Sequence, residues 1–163
     1  MESEHMMTES ESQSGKARVF IGKKADVYFR KWGLTDEHAD LPAEPVKRIS
    51  WNWAAALFSG AWLGYRKMYK EAIIYLLVLM TVSSLLGVAN EFTILDVGVF
   101  VIMGFLGNRL YFHKVKREVS KLGSDANSME KLSASGGTTW LGALGMAVLG
   151  GFMGMIFGAI FNW

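Results

Sequence analysis

Apolar residues run almost unbroken at three places from Ala72 onward in this chain of 163 residues, whereas the first fifty positions mix charges with short apolar clusters. The last run, Thr138 to Trp163, passes twenty-six positions without a charged side chain, with Trp140 and Trp163 near its ends. As a helix it is about 39 Å long, against a hydrocarbon core of roughly 30 Å. Ala72 to Asn90, bounded by Glu71 and Glu91, predicts a span of nineteen residues, about 28 Å long. Val97 to Phe112 predicts another, shorter and richer in glycine (Gly98, Gly104, Gly107), with Asp96 at one end and Arg109 near the other. The turn Asn90–Asp96 is too short for a domain, so these two runs form a helical hairpin. The fold class is an all-α integral membrane protein with three transmembrane helices.

Two further stretches have helical spacing without the length of a span. Trp51, Ala55, Phe58, Trp62, Tyr65 and Tyr69 recur at steps of four and three, with Ser50 as the expected N-cap and a weaker polar stripe of Asn52, Ser59, Arg66 and Lys70 on another side. The apolar part, Trp51 to Tyr65, is about 22 Å as a helix. Aromatic residues at that density suit the headgroup boundary, which makes Trp51, Phe58, Trp62, Tyr65 and Tyr69 interfacial aromatics. The segment reads as an interfacial or re-entrant helix with Ser59-Gly60 as its break; a full span is the alternative. Upstream, Ala25, Tyr28, Phe29 and Trp32 give Lys16 to Gly33 an apolar face opposite Lys23, Lys24, Arg30 and Lys31, with Gly33 as the stop. Such a short amphipathic helix rests on the membrane surface, on the protein's own spans or on another protein.

The organisation that follows is a disordered tail over 1–15, a cytoplasmic amphipathic helix and linker over 16–49, the aromatic helix over 50–70 and the hairpin over 71–113. A basic cytoplasmic segment over 114–137, expected to continue the preceding helix through Leu122 and then to loop from Gly123 to Asn127, leads to the glycine-rich span over 138–163. The tail carries Glu2, Glu4, Glu9 and Glu11 and has neither the basic start nor the apolar centre of a signal peptide, so internal spans direct insertion. Of seventeen lysines and arginines, eight precede Trp51, three lie between Arg66 and Lys70, and six between Arg109 and Lys131. The Asn90–Asp96 turn has none. The positive-inside rule then places the amino terminus in the cytoplasm and the carboxyl terminus outside.

Composition narrows the chemistry. A hydrophobic fraction of 51% fits a membrane protein, and a net charge of +2 gives no argument for nucleic acid. Without cysteine there is no disulfide, thiolate metal site or cysteine nucleophile. His5, His38 and His113 are far apart and none has a second ligand at metal spacing, so neither a metal nor another cofactor is expected. Asp96 and Arg109 stand thirteen residues apart, about 20 Å along a helix, too far to pair there. Ser83 and Ser84 have no histidine or carboxylate at matching depth. No catalytic residue is assigned.

The most specific pattern is in the last span. Gly150, Gly154 and Gly158 repeat every four residues, and Ala143 and Ala147 extend the small face. Small residues let helix backbones approach closely. The partner is a helix of the same chain, another copy or another membrane protein, and leucine at Gly154 would disrupt that packing. Arg66, Lys67 and Lys70, with Lys114, Lys116 and Arg117, form a basic set suited to anionic lipid headgroups, although the topology rule requires such residues in any case.

At the aromatic helix the chain resembles a family of small bacterial inner-membrane proteins catalogued as domain of unknown function 2628. The resemblance rests on Trp51-Asn52-Trp53-Ala54-Ala55, Phe58, Gly60, Trp62 and Tyr65-Arg66-Lys67-Met68-Tyr69, then on Gly107-Asn108 with Tyr111 and on Gly136-Gly137-Thr138-Thr139. Lys23-Lys24-Ala25-Asp26-Val27-Tyr28 is a looser match. Members often carry a Gly-Pro pair near the middle of the aromatic helix, where this chain has Ser59-Gly60. The resemblance implies a bacterial inner-membrane location and brings no catalytic residue, substrate or cofactor.

The expected role is a non-enzymatic accessory or scaffold that binds the bilayer and other membrane components; a small oligomeric transporter or channel is the alternative. A cysteine replacing Thr93 is expected to react with a membrane-impermeant maleimide in intact cells, and one replacing Ser128 only after permeabilisation. The opposite labelling pattern would invert the topology.

Overall fold

In the computed structural model of the chain, residues 12–35, 39–86, 94–122 and 127–161 are described. Among them are α1 (Gln13–Ile21), a single 3-10 turn (Gly22–Lys24), α2 (Ala25–Trp32), α3 (Trp53–Tyr65), α4 (Tyr69–Leu86), α5 (Ile94–Leu122), α6 (Ser128–Ser135) and α7 (Trp140–Phe161). No strand occurs among the described residues. Three helices are long and apolar enough to cross a membrane, over Tyr69–Leu86, Leu95–Lys121 and Trp140–Ile160. The chain is an all-α protein with three membrane-competent helices. The Asn90–Asp96 turn, apart from its last residues Ile94–Asp96 at the start of α5, lies outside the described residues, as do Gly123–Ala126, His5 and His38.

The chain divides into two compact units. One comprises Met1–Trp51 and Phe105–Gly137; the other comprises Asn52–Gly104 and Thr138–Trp163. Helix α5, of 29 residues, is about 43 Å long. Its last turns continue through Leu122, as the sequence predicts, and form the centre of the first unit.

In that unit the helix expected over Lys16–Gly33 is two helices. Gly22, at φ 73° and ψ −146°, occupies a conformation open to glycine and costly for any L side chain, and the chain turns there between α1 and α2. Gln13 to Gly15, expected in the tail, is helical, because the Ser12 side chain accepts a hydrogen bond from the Gly15 amide at 3.0 Å and caps α1. Gly33 ends α2 as expected, in the left-handed conformation (φ 72°, ψ 24°). The Leu34 amide then reaches back to the Phe29 carbonyl at 2.9 Å.

The apolar face of α2 rests on the protein itself. Ala25, Tyr28, Phe29 and Trp32 are buried, and so are Tyr111, Phe112, Val115 and Val119, a helical stripe on α5. Tyr28 meets Tyr111 at 4.7 Å between ring centroids, and Trp32 meets Phe112 edge-on at 5.1 Å. Ala17, Phe20 and Ile21 of α1 and Leu132 of α6 are buried with them. The Trp32 indole donates to the Asn108 carbonyl at 2.9 Å. The buried Asn108 amide in turn reaches the Ser50 hydroxyl at 2.9 Å, the Ser50 carbonyl at 3.2 Å and the Trp51 carbonyl at 3.3 Å. One side chain thereby fixes the end of the segment that leads into α3.

The segment read as a linker is strapped along α5. Arg109 and His113 both meet Glu44, at 3.0 and 3.3 Å, and Lys116 donates to the Pro42 carbonyl at 2.8 Å. These three residues lie about one turn apart on one face. The hydrogen bond from Arg109 holds the Glu44 carboxyl below its ordinary pKa, and the attraction of His113 acts in the same direction. Leu34 and Leu41 are buried beneath the strap. At the far end of the unit, the Gly137 amide donates to the Phe20 carbonyl at 2.7 Å. A Cβ on Gly136 would overlap that same carbonyl, so the position accepts glycine alone.

Replacing Asn108 with alanine takes the donor away from the Ser50 carbonyl, while the Trp51 carbonyl keeps the Lys31 ammonium at 3.1 Å, and is expected to cost about 1–3 kcal/mol. Arg109→Ala, which removes an exposed ion pair, is expected to cost less than about 1 kcal/mol. Thermal unfolding of both variants in lipid discs checks the ranking, and an Asn108→Ala midpoint at or above that of Arg109→Ala refutes it.

Candidate functional site

The second unit is built around α3. Its thirteen residues extend only about 20 Å as a helix, so it is too short to cross a bilayer, and both its ends find hydrogen-bond partners within the protein. Asn52, rather than Ser50, is the N-cap. Its side-chain oxygen accepts from the Ala55 amide at 3.1 Å, and its own amide donates to the Gly104 carbonyl of α5 at 2.8 Å. Asparagine caps by the same geometry as serine, and Ser50 is instead engaged by Asn108.

The helix breaks at Ser59, whose φ of 30° and ψ of −101° are non-helical. The break falls where the sequence places it. Gly60 follows and is buried; a Cβ there would stand 3.3 Å from the Tyr75 ring of α4. Beyond the break Trp62, Leu63 and Gly64 are buried.

At its carboxyl end α3 meets α7 backbone to backbone. A Cβ on Gly64 would overlap the Gly142 carbonyl oxygen, and one on Gly142 would overlap the Gly64 carbonyl oxygen. This contact lets the Thr139 amide, just before α7, donate to the Tyr65 carbonyl at 2.9 Å. The Tyr65 and Trp140 rings pack at 5.2 Å, and Met146 is buried one turn further along. Lys67, at φ 56°, turns the chain out of α3, and the Met68 amide closes on the Leu63 carbonyl at 2.8 Å. Helix α4 begins at once, with Met68 and Ala72 buried.

The small residues of α7 divide by position. Ala143 and Gly158 are half-buried, and a Cβ on Gly150 would meet Leu76 of α4 at 3.6 Å. Ala147 and Gly154 are exposed, and a Cβ on Gly154 would meet nothing within 4 Å. Gly142 lies on the same row as Gly150, Gly154 and Gly158, two steps of four earlier through Met146. Extending that row toward the amino end of the span is the signal that finds it. No such row marks Asn52 or Asn108; the signal at both is that they are polar residues inside apolar runs and stand in the motifs that carry the family resemblance.

The aromatic and basic sets separate in the same way. Trp62 is buried, Trp51 packs edge-on against Phe105 at 4.9 Å, Tyr65 is half-buried, and Phe58 and Tyr69 are exposed. Arg66 is buried with its guanidinium 5.7 Å from the Tyr65 ring, Lys67 is half-buried and Lys70 is exposed. Lys114, Lys116 and Arg117 belong to the first unit. There Lys114 is buried with its ammonium 5.8 Å from the Phe20 ring, Lys116 holds Pro42 and Arg117 meets Glu118 at 3.6 Å. Among the described residues, no three histidine, cysteine, aspartate or glutamate side chains lie close enough together to hold a metal ion.

Gly142→Leu drives a side chain into the Gly64 backbone and is expected to cost at least about 1–3 kcal/mol. Gly154→Leu extends into open space and is expected to leave the unfolding midpoint of the monomer unchanged. Thermal melts of the two variants decide it: equal losses would place the principal helix contact elsewhere on α7.

Residues 9–117 match the family described as Protein of unknown function (DUF2628). No curated protein and no solved structure matches the chain. The matched region takes in all of α1, α2, α3 and α4 and most of α5. It therefore includes Asn52, the Ser59-Gly60 break, Gly64 and Asn108, whereas Gly136 to Thr139 and α7 lie beyond it. A match of that extent, over well more than half of the sequence, places this chain in the DUF2628 family.

Proposed function

We propose that this chain is an accessory or scaffold protein of the bacterial inner membrane that binds other membrane components and has no catalytic activity of its own. The observation that carries the reading is how little of the spans the chain covers itself. Within an 18-residue stretch of each of Tyr69–Leu86 and Trp140–Ile160 only 6% of residues are buried, against 33% in such a stretch of Leu95–Lys121. Two of three spans thus leave much of their surface to lipid and to other helices. On α7, Gly145, Gly151 and Gly154 add places where a foreign backbone could come close, because a Cβ at any of them would meet nothing within 4 Å. The amino terminus and the basic first unit face the cytoplasm in this reading, by the distribution of lysine and arginine. The same open glycine positions favour a second reading, a homo-oligomer that transports a small solute.

Extraction from the native membrane in lipid-preserving polymer discs, followed by native mass spectrometry, tests both. A mass containing a second protein species is the expected result. A discrete homo-oligomer alone would replace the scaffold with the transporter reading and call for flux assays in liposomes. A lone monomer would refute both.

A further inference from the structure

Between the first turns of α4 and α7 lies an open groove of about 490 Å³, lined by Tyr69, Thr139, Leu141, Gly142, Gly145 and Met146. That volume is in the range of small-molecule sites, which combine an apolar lining with a few polar groups. The polar groups cluster at one end. The Tyr69 hydroxyl lies over Gly142, where a Cβ would stand 2.9 Å from it, and the Thr139 hydroxyl lies 3.5 Å from the Gly142 amide. Leu141, Gly145 and Met146 supply the apolar remainder, and Leu141 is strongly exposed at the rim.

Three features define the occupant. Both walls belong to helices long and apolar enough to lie in lipid, so the groove opens on acyl chains rather than water. Its polar end is at the start of both helices, at the level where headgroups meet hydrocarbon if α4 and α7 cross the membrane. The exposed Lys70 follows Tyr69 directly, Lys67 stands two residues before it, and no acidic residue lines the groove; Glu71, one residue beyond Lys70, is half-buried. An amphiphile with a negatively charged head matches all three.

We propose that this groove seats one anionic phospholipid. An acyl chain lies along Leu141, Gly145 and Met146, and the phosphate meets the Tyr69 and Thr139 hydroxyls beside Lys70. The proposal rests on the membrane reading above and names one component that the chain binds.

The full-length protein, delipidated in detergent, is titrated with phosphatidylglycerol and separately with phosphatidylcholine, and retained lipid is counted by native mass spectrometry. One phosphatidylglycerol per chain, retained at least fivefold better than phosphatidylcholine, is expected. Gly145→Leu places bulk in the groove from a position where a Cβ meets nothing within 4 Å, so the fold has room for it. An unchanged thermal midpoint together with at least a fivefold loss of retained lipid is expected. Lys70→Gln is expected to remove most of the preference for the anionic lipid while some retention of either lipid persists.

Equal retention by Gly145→Leu and wild type would overturn the site, and equal retention of the two lipids by wild type would overturn its charge selectivity. Competition by glycerol 3-phosphate as effective as that by the whole lipid would overturn the acyl-chain seat. A dimer mass abolished by Gly145→Leu would give the groove to a second copy of the chain instead. Whether another protein accompanies the chain in native membranes does not enter any of these outcomes, so the lipid site and the scaffold can fail independently.

Discussion

An apolar helix too short to cross a bilayer carries unpaired N–H and C=O groups at both ends, and pairing them is the requirement around which the second unit is built. In hydrocarbon a lone N–H or C=O costs several kcal/mol. Asn52 meets the requirement at one end of α3 by accepting from Ala55 and donating to Gly104. At the other end the Thr139 amide meets the Tyr65 carbonyl, which it can do only because α3 and α7 touch without side chains between them at Gly64 and Gly142. Remove that glycine contact and the two helices separate by the thickness of a side chain, beyond hydrogen-bond reach. Packing and hydrogen bonding are here one interaction.

The first unit is held together differently. Its helices α1, α2 and α6 are each eight or nine residues long, too short to persist alone in water. They hold together by burying aromatic rings against the last turns of α5. Asn108 joins those rings to the strap: its backbone carbonyl accepts from Trp32, and its side-chain amide donates to the Ser50–Trp51 backbone. Buried amides of this kind fix register, because a slip of one turn would leave donors and acceptors without partners.

Much of this was legible from the sequence, and the division has physical causes. The spans are visible because length and lack of charge are properties of contiguous segments, and the solvent is uniform around them. Gly33 is visible because a helix stop is local. The break at Gly22 is less so: Lys16 to Gly33 keeps its apolar spacing across it, and only the left-handed backbone at Gly22 shows that one helix is two. Ser50 and Asn52 are equally good caps by chemistry, and the choice between them is made by Asn108, fifty-odd residues away. The row of small residues on α7 shows a face suited to close approach, but periodicity does not say which glycine is used. Within this chain the backbone contact falls on Gly142, where α3 arrives, and leaves Gly154 open. The residues of the family motif are largely those that cap, turn or pack, which is why they identify a fold without identifying a reaction.

The break in α3 has a consequence for how that motif is read. The family resemblance leads one to look for glycine and proline near the middle of the aromatic helix, yet Ser59 and Gly60 make the bend with neither proline nor a glycine at the position of positive φ. A serine at φ 30° is strained, by about 1–3 kcal/mol for such backbone positions. It persists because both halves of the helix are fixed elsewhere, at Asn52 and at Gly64. The bend in this chain is therefore a shape imposed from the two flanks.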